Sequence, residues 1–430
     1  MKNKIMAILA VLTVSALAGT AAACSMQNQG QPSATVTVDG LSMTLSGGTL
    51  SVTGEGVPSD LAERVQKKTS VEKVVLGEGI AGVNDTTFRG LDGLREIAVE
   101  EGNPLLSAVD GVLFNKDRTA LLYYPSAKAG ASYAVPEGTA EIGASAFAGN
   151  ALLKSVTFPD GLSRIGIDAF ADCTALKEAV LPEGLQTVGD GAFENCAALS
   201  SLTLPESLSA IGDHAFQGCG GLTEVAIPSG LKKLGECVFR GCAGLTGFTV
   251  AEGNTVFHAV DGVLLRSGGR KLAQYPRGAV RSAYAVPEGV EEIDYAAFEG
   301  NAYLTEVTFP DSLTKIGTAA FQDCSALTRV DMPDHVRAID DAAFSGCTAL
   351  KEVTLARYLE SIGIEAFFNC PELKTVEVPF KVSFVGFRSL GYNALFGSKK
   401  YTDGFLLRCR EGSQAQTYAE RYGVAYEIVE

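Results

Sequence analysis

Apolar positions along this chain recur at a fixed interval. Phenylalanine stands at 147, 170, 193, 216 and 239, and again at 298, 321, 344 and 367, in equal steps of 23. Phe88 joins the column at one remove, since the interval from Phe88 to Phe147 equals that from Phe239 to Phe298. Five positions ahead of each ring is an aliphatic, usually β-branched, as at Ile142, Ile165, Val188 and Ile211, which suits a short strand. Four positions ahead stand Gly143, Gly166, Gly189, Gly212, Gly235, Gly317 and Gly363, with Asn84, Asp294 and Asp340 in the same column. These types best tolerate positive φ, so a left-handed corner is expected there. A small residue, usually Ala, precedes the ring and leaves it room to enter a core. Some way after the ring comes Leu, followed by alternation such as Leu202 and Leu204 before Pro205. That is a period-2 strand ended by a residue that cannot donate to a ladder. The predicted coil is therefore strand, corner, second short strand, compact helical turn around the Ala-Phe pair, and return. One such coil cannot bury its own Phe and Leu. Stacked coils can, which makes a solenoid.

A larger repeat contains the small one. Residues 108–138 and 259–289 share the texts AVDGVL, YP and YAVPEG, and Asp110 and Asp261, Pro125 and Pro276, Tyr133 and Tyr284 are each 151 apart. The chain thus divides into a segment 1–23 that precedes the fold, a polar tether 24–35, an N-terminal cap 36–79, a repeat body 80–380 with long inserts at 100–136 and 251–287, and a C-terminal cap 381–430.

The text IGxxAFxxCxxLxxVxLP, as in 211–228 (IGDHAFQGCGGLTEVAIP), resembles the BspA-like leucine-rich repeat family of bacterial surface proteins. The MTLSGGTLSVTG strand pair, the YP inserts and the end CREGSQAQTYAERYGVAYEIV are similar to that family's caps and long repeat. The resemblance implies an α/β-type leucine-rich-repeat solenoid, coiled to the right, with short parallel strands and helical turns. For function it implies a surface or secreted binding module, often linked to adhesion, without a ligand.

The cysteines mostly follow the period. Cys173, Cys196, Cys219, Cys242, Cys324, Cys347 and Cys370 stand three positions after the ring, with Asn150 and Asn301 in the same column. Interchange of Cys with Asn points to a small side chain that bonds backbone inside a turn. Disulfides fit poorly, because equivalent residues on stacked coils sit about 4.8 Å apart, against Cβ atoms about 3.8 Å apart in a disulfide. No CxxC pair exists, so no metal site is implied. Cys237 and Cys409 lie outside the column without an assigned role.

A second column follows the strand-ending Pro: Glu137, Asp160, Glu183, Glu206, Glu288, Asp311 and Asp334, with Ser229 interrupting. Two readings stand: a solvated turn carrying solubilising charge, or a stripe that takes divalent cations or a basic partner through Glu183, Glu206, Asp311 and Asp334. The insert tyrosines Tyr123, Tyr124 and Tyr275 likewise either project on hairpins as sticky contacts or plug an enlarged coil. His214, His258 and His335 occupy unrelated positions and are read as incidental.

Charge and the N-terminus narrow the function. A net charge of -15 argues against nucleic-acid binding, which relies on Lys and Arg to neutralise phosphate. Lys2 and Lys4 precede an apolar stretch 5–19, then small residues and Cys24. The pattern is a signal peptide. Either Cys24 is a lipobox cysteine and carries a lipid, or a peptidase cuts after Ala23 and the protein is released; both routes start the mature chain at Cys24. No second long apolar run follows, so membrane contact is expected through the lipid alone. Neither G-x-S-x-G, H-E-x-x-H nor a phosphate loop occurs, so no catalytic residue and no cofactor is implied. The expected protein is a non-enzymatic module at the bacterial cell surface, binding an extracellular protein, with an envelope structural or glycan-binding protein as the alternative.

Overall fold

The computed structural model describes residues 34–65, 70–393 and 401–430. The repeat body is a β-solenoid. Glu141–Ile142, Arg164–Ile165, Thr187–Val188, Ala210–Ile211 and Lys233–Leu234 pair in parallel, each shifted one period from the last. A second ladder runs beside it through Ser132–Ala134, Ser155–Thr157 and Glu178–Val180. In Ser155–Thr157 and Glu178–Val180 the middle residue is buried between outward neighbours, as is Val307 between Glu306 and Thr308 in the second half. That is the period-2 pattern read from the sequence.

Each insert contributes an antiparallel hairpin. Leu106–Val109 pairs with Val112–Asn115, which pairs with Ala120–Tyr123, and this last strand opens the parallel ladder of the first half. Phe257–Val260, Val263–Arg266 and Lys271–Gln274 do the same for the second half. The two ladders are separate sheets, so Lys233–Leu234 is the terminal strand of the first. Hairpin side chains alternate between two cores. Leu113 packs with the N-terminal cluster while Val112 and Phe114 pack with the next; Leu264 and Val263 divide the same way at the second insert.

The ends of the rod are built differently from its body. Leu41–Ser46 and Thr49–Gly54 form a hairpin around Gly47 and Gly48, both at positive φ, and Thr49–Gly54 passes in parallel to Lys73–Leu76. At the far end Leu406–Cys409 lies between Thr375–Glu377 and Tyr426–Ile428. The helix Gln414–Tyr422 sits there, with the Ser413 hydroxyl accepting from the Gln416 amide and Gly423 ending it at φ 69°. The ladder itself continues through Phe384–Val385.

Two expectations about the coil are corrected. The segment around the Ala-Phe pair is not a helical turn. It is a run of turns whose amides point to the next coil: Phe147 to the Ala169 carbonyl at 2.7 Å, Phe170 to Ala192 at 2.7 Å, Gly149 to Ala171 at 2.7 Å. Amides therefore alternate along the segment: Ala148 donates to the Ser145 carbonyl and Asn150 to Phe147, both at 3.1 Å within the coil, while Phe147 and Gly149 reach the next coil. Nor is the glycine column left-handed. Positive φ occurs instead two positions before the ring, at Ser145, Asp168, His214, Ala296, Ala319 and Ala342, and two positions after it, at Gly149, Asp172, Asn195, Gly218, Asp323 and Asn369. The second column carries the Gly, Asn and Asp that such a backbone favours. In the first, a left-handed residue costs about 1–2 kcal/mol and is held by an inter-coil bond, as from the Ala342 amide to the Ile364 carbonyl at 2.8 Å.

Glycine is needed in its own column for lack of space. A Cβ on Gly189 would lie 2.7 Å from the Gly166 carbonyl carbon, and one on Gly212 would lie 2.5 Å from the Asp190 amide nitrogen. Where Asp294 and Asp340 replace glycine, a cation takes each carboxylate: Arg266 at Asp294, and Lys315 at Asp340 at 2.9 Å.

Candidate functional site

Inside the solenoid, the ring column forms two stacks. Tyr124, Phe147, Phe170, Phe193, Phe216 and Phe239 follow one another with centroids 4.6–5.8 Å apart. Tyr275, Phe298, Phe321, Phe344 and Phe367 form the second at 4.6–5.1 Å. Tyr124 and Tyr275 therefore occupy the phenylalanine position of their coils. They are 2% and 1% exposed, which rules out projection from a hairpin for both. Tyr133 and Tyr284 meet them edge-on at 4.8 and 5.1 Å. Tyr123, half-buried, packs on Phe88 at 4.5 Å, and burial pushes its hydroxyl up to about 12. The signal was present in the numbering, because Tyr124 precedes Phe147 and Tyr275 precedes Phe298 by one period.

The column cysteines are free and buried. Each thiol donates to the ring residue's carbonyl one coil back: Cys173 to Phe147 at 3.1 Å, Cys219 to Phe193 at 3.2 Å, Cys370 to Phe344 at 3.2 Å. Asn150 replaces that bond with one to the Ser126 carbonyl and accepts from the Leu152 and Leu153 amides. Asn103 and Asn254, again 151 apart, brace the start of each insert in the same way; sequence reading passed over them. Cys409 is buried at the end of the strand Leu406–Cys409, and Cys237 is half-buried with positive φ. Desolvation raises the column thiols, Cys173, Cys242 and Cys370 to about 12. These are inert structural sulfurs rather than nucleophiles.

The acidic column runs along the exposed turn edge, with Glu183, Glu206, Asp311 and Asp334 all facing solvent. Glu206 accepts from the amide and hydroxyl of Ser229 in the next coil, at 3.0 and 2.5 Å. Among the described residues no group of three or more His, Cys, Asp or Glu is arranged to hold a metal ion. Cys24 lies outside the described residues. No helix among them is long and apolar enough to cross a membrane.

An open concavity lies where the two halves meet. This groove of about 810 Å³ is bounded by the terminal strand Lys233–Leu234, by Asp190 and Asp213, and by Phe257 and Arg266 of the second hairpin. It exists because that hairpin pairs with its own half and leaves the first sheet's edge uncovered. Beside it, Arg240 holds Glu299 through two hydrogen bonds, at 2.5 and 2.6 Å, and ties the coils across the junction.

Known proteins share this architecture. Residues 140–259 and 282–395, more than half the chain, match the BspA type leucine rich repeat region, in 6 copies. The crystal structure of the pneumococcal vaccine antigen PcpA aligns with a TM-score of 0.62 and 20% identity, covering 92% of this chain and 99% of that one. A leucine rich cell surface protein from Faecalibacterium prausnitzii aligns with a TM-score of 0.61 and 22% identity, covering 93% and 99%. At those identities the likeness is one of fold. No curated protein matches the sequence.

Proposed function

The chain belongs to the BspA-type leucine-rich repeat family, and from that premise we propose that it is an exported, non-enzymatic module that binds an extracellular protein at the bacterial surface. The observation that carries this reading is the junction groove, where an uncovered sheet edge is flanked by charge of both signs and by the apolar Phe257. An extended segment of a partner can add to such an edge through main-chain hydrogen bonds, with neighbouring side chains supplying specificity. The rest of the surface supports it. Interior columns repeat from coil to coil, while outward strand positions change: Ser155 and Thr157, then Glu178 and Val180, then Glu224 and Ala226, then Arg329 and Asp331. A fixed interior under a variable face suits a recognition scaffold.

Export rests on the N-terminal segment and on the fold's company, a vaccine antigen and a cell surface protein. We place the mature chain outside the cytoplasm with a lipid on Cys24. Labelled palmitate should enter the wild-type protein and not Cys24→Ser. For binding, the mature ectodomain is used as bait against extracellular-matrix and bacterial-surface extracts, beside Leu234→Pro. Lys233 and Gly235 donate back to the Ser209 and Ile211 carbonyls of the preceding coil, so the Leu234 amide between them faces the open edge; proline removes it and bends the edge, so a captured protein should be lost with it. Equal capture by both forms would refute the groove as the site.

A further inference from the structure

The internal duplication offers a control built into the molecule. Residues 181–189, 204–212 and 227–235 correspond, at an offset of 151, to 332–340, 355–363 and 378–386. The same turns are built twice on the same ladder geometry. In the first copy these turn positions hold Gly184, Gln186, Glu206, Ser207, Ser229 and Gly230. In the second they hold His335, Arg337, Arg357, Tyr358, Phe380 and Lys381. The coil closes with either set, so the fold does not require the cations and aromatics of the second.

Those side chains converge. The Arg337 and Arg357 guanidinium carbons lie 5.1 and 5.6 Å from the centre of the Tyr358 ring, and the Lys381 ammonium lies 4.6 Å from it. The ring holds like charges together through its quadrupole. Arg337 also pairs with Glu360 at 3.7 Å, but among the described residues neither Arg357 nor Lys381 reaches a carboxylate. Beside them Phe380 is 57% exposed. The acidic column ends here, with Asp334 followed by Arg357. In a chain of net charge -15, this is a local reversal of sign.

We propose that Arg337, Arg357, Tyr358, Phe380 and Lys381 form a binding site for an acidic polysaccharide, one bearing sulfate or uronate groups. The cations come from successive coils, so their spacing is set by the solenoid, about 4.8 Å per step and roughly 10 Å over two. A regular anionic polymer presents charge at regular intervals to match. Guanidinium groups pair with sulfate or carboxylate through two parallel hydrogen bonds, and the Phe380 face offers a sugar ring an apolar contact. Arginine clusters also take acidic peptide motifs, so an acidic peptide is the competing ligand, and poly-glutamate represents it in the test.

The test uses the mature ectodomain and its triple variant R357E/Y358S/K381G, which carries the residues of the first copy. A fluorescent heparin octasaccharide and labelled polygalacturonate are titrated by anisotropy in 50 mM and 300 mM NaCl, with neutral dextran, poly-glutamate and phosphatidylglycerol vesicles in parallel arms. Wild type should bind at least one acidic saccharide, at least tenfold more weakly in the higher salt, because exposed charges are screened. The triple variant should melt with wild type by circular dichroism and bind at least tenfold more weakly. R357Q/K381Q, which removes only charge, should lose the same affinity if the triple variant folds poorly. Unchanged binding in these variants, or no acidic-saccharide binding by wild type, overturns the proposal. Preferential binding of poly-glutamate or of the vesicles overturns it in favour of a peptide or a lipid surface.

Discussion

Replacing Gly212 by Ala tests what the glycine column is for. Two accounts make opposite orderings. If the column were left-handed, Ala would cost about 1–2 kcal/mol, and Asn, which tolerates that backbone, would cost less than Ala. In the structure Gly212 is not at positive φ, and a Cβ there would meet the Asp190 amide nitrogen at 2.5 Å and the Gly189 carbonyl carbon at 2.7 Å. Those atoms are backbone in a hydrogen-bonded ladder and cannot swing aside. Gly212 itself donates to the Val188 carbonyl at 2.8 Å, so the coils must separate where they are bonded. Overpacking of this kind costs about 1–3 kcal/mol. With backbone on the receiving side we expect the upper end, about 3 kcal/mol, and Asn at least as costly as Ala. The reverse substitution belongs two positions before the ring. Ala342 sits at φ 53°; glycine there relieves left-handed strain of about 1–2 kcal/mol and adds back about 0.4–1 kcal/mol of unfolded-chain entropy. Ala342→Gly should therefore gain about 0.8 kcal/mol, the difference of those two effects. Urea unfolding followed by circular dichroism reads each change, and native-state hydrogen exchange localises it to the mutated coil. The steric account is refuted if Gly212→Ala costs no more than an ordinary surface substitution, about 0.5 kcal/mol. It is refuted equally if Asn is better tolerated than Ala by about 1 kcal/mol, as a left-handed site would require.

Other expectations follow from the interior. Phe216→Ala removes a ring stacked on Phe193 and Phe239 at 5.3 and 5.8 Å, and should cost about 3–5 kcal/mol with exchange protection lost first in the adjoining coils. Burial raises Cys173, Cys242 and Cys370 from about 9 to about 12. The unfolded chain loses those protons first, so this stabilisation is complete below about pH 9 and lost progressively up to about pH 12. Stability measured by denaturant titration should fall across that window, less steeply in Cys196→Ala/Cys219→Ala; a flat profile would contradict the assignment. The same thiols should resist Ellman's reagent until the chain unfolds. Arg240→Ala strands Glu299, which is only 13% exposed in its side chain. Since the arginine is itself partly in solvent, the expected loss is about 1–2 kcal/mol rather than the roughly 3–5 kcal/mol of a fully buried pair, and Glu299→Gln in the same chain should recover part of it.

What could be read from the sequence was whatever repeats. The period, the paired strands and the Cys/Asn ladder all emerge from columns, because each coil solves the same packing problem and must solve it alike. The reason behind a column was harder to read. Glycine at 143, 166, 189 and 212 answers to a neighbour one full period away, and a linear reading attributes it to local backbone instead. Positive φ at Ser145, His214 and Ala342 leaves no compositional mark, since an inter-coil hydrogen bond and not the residue type sustains it. For Tyr124 and Tyr275 the sequence left projection from a hairpin and plugging of a coil both open, and stacking on Phe147 and Phe298 decides for the second. Surface features that occur once escape a method built on recurrence. The junction groove arises from how two sheets fail to meet, and the cations around Tyr358 come together only when the coils are stacked.

The hairpins at 106–115 and 257–266 act as bulkheads. Because their side chains alternate between adjoining cores, each compartment is sealed by a partition that serves both sides. A hull so divided floods one chamber at a time. Damage within one half, by mutation, oxidation or pulling force, should stop at the partition instead of unravelling the whole rod. The same partition marks where one large repeat can be added or removed with its seal intact, so the length of such a rod can change in large, ready-made steps.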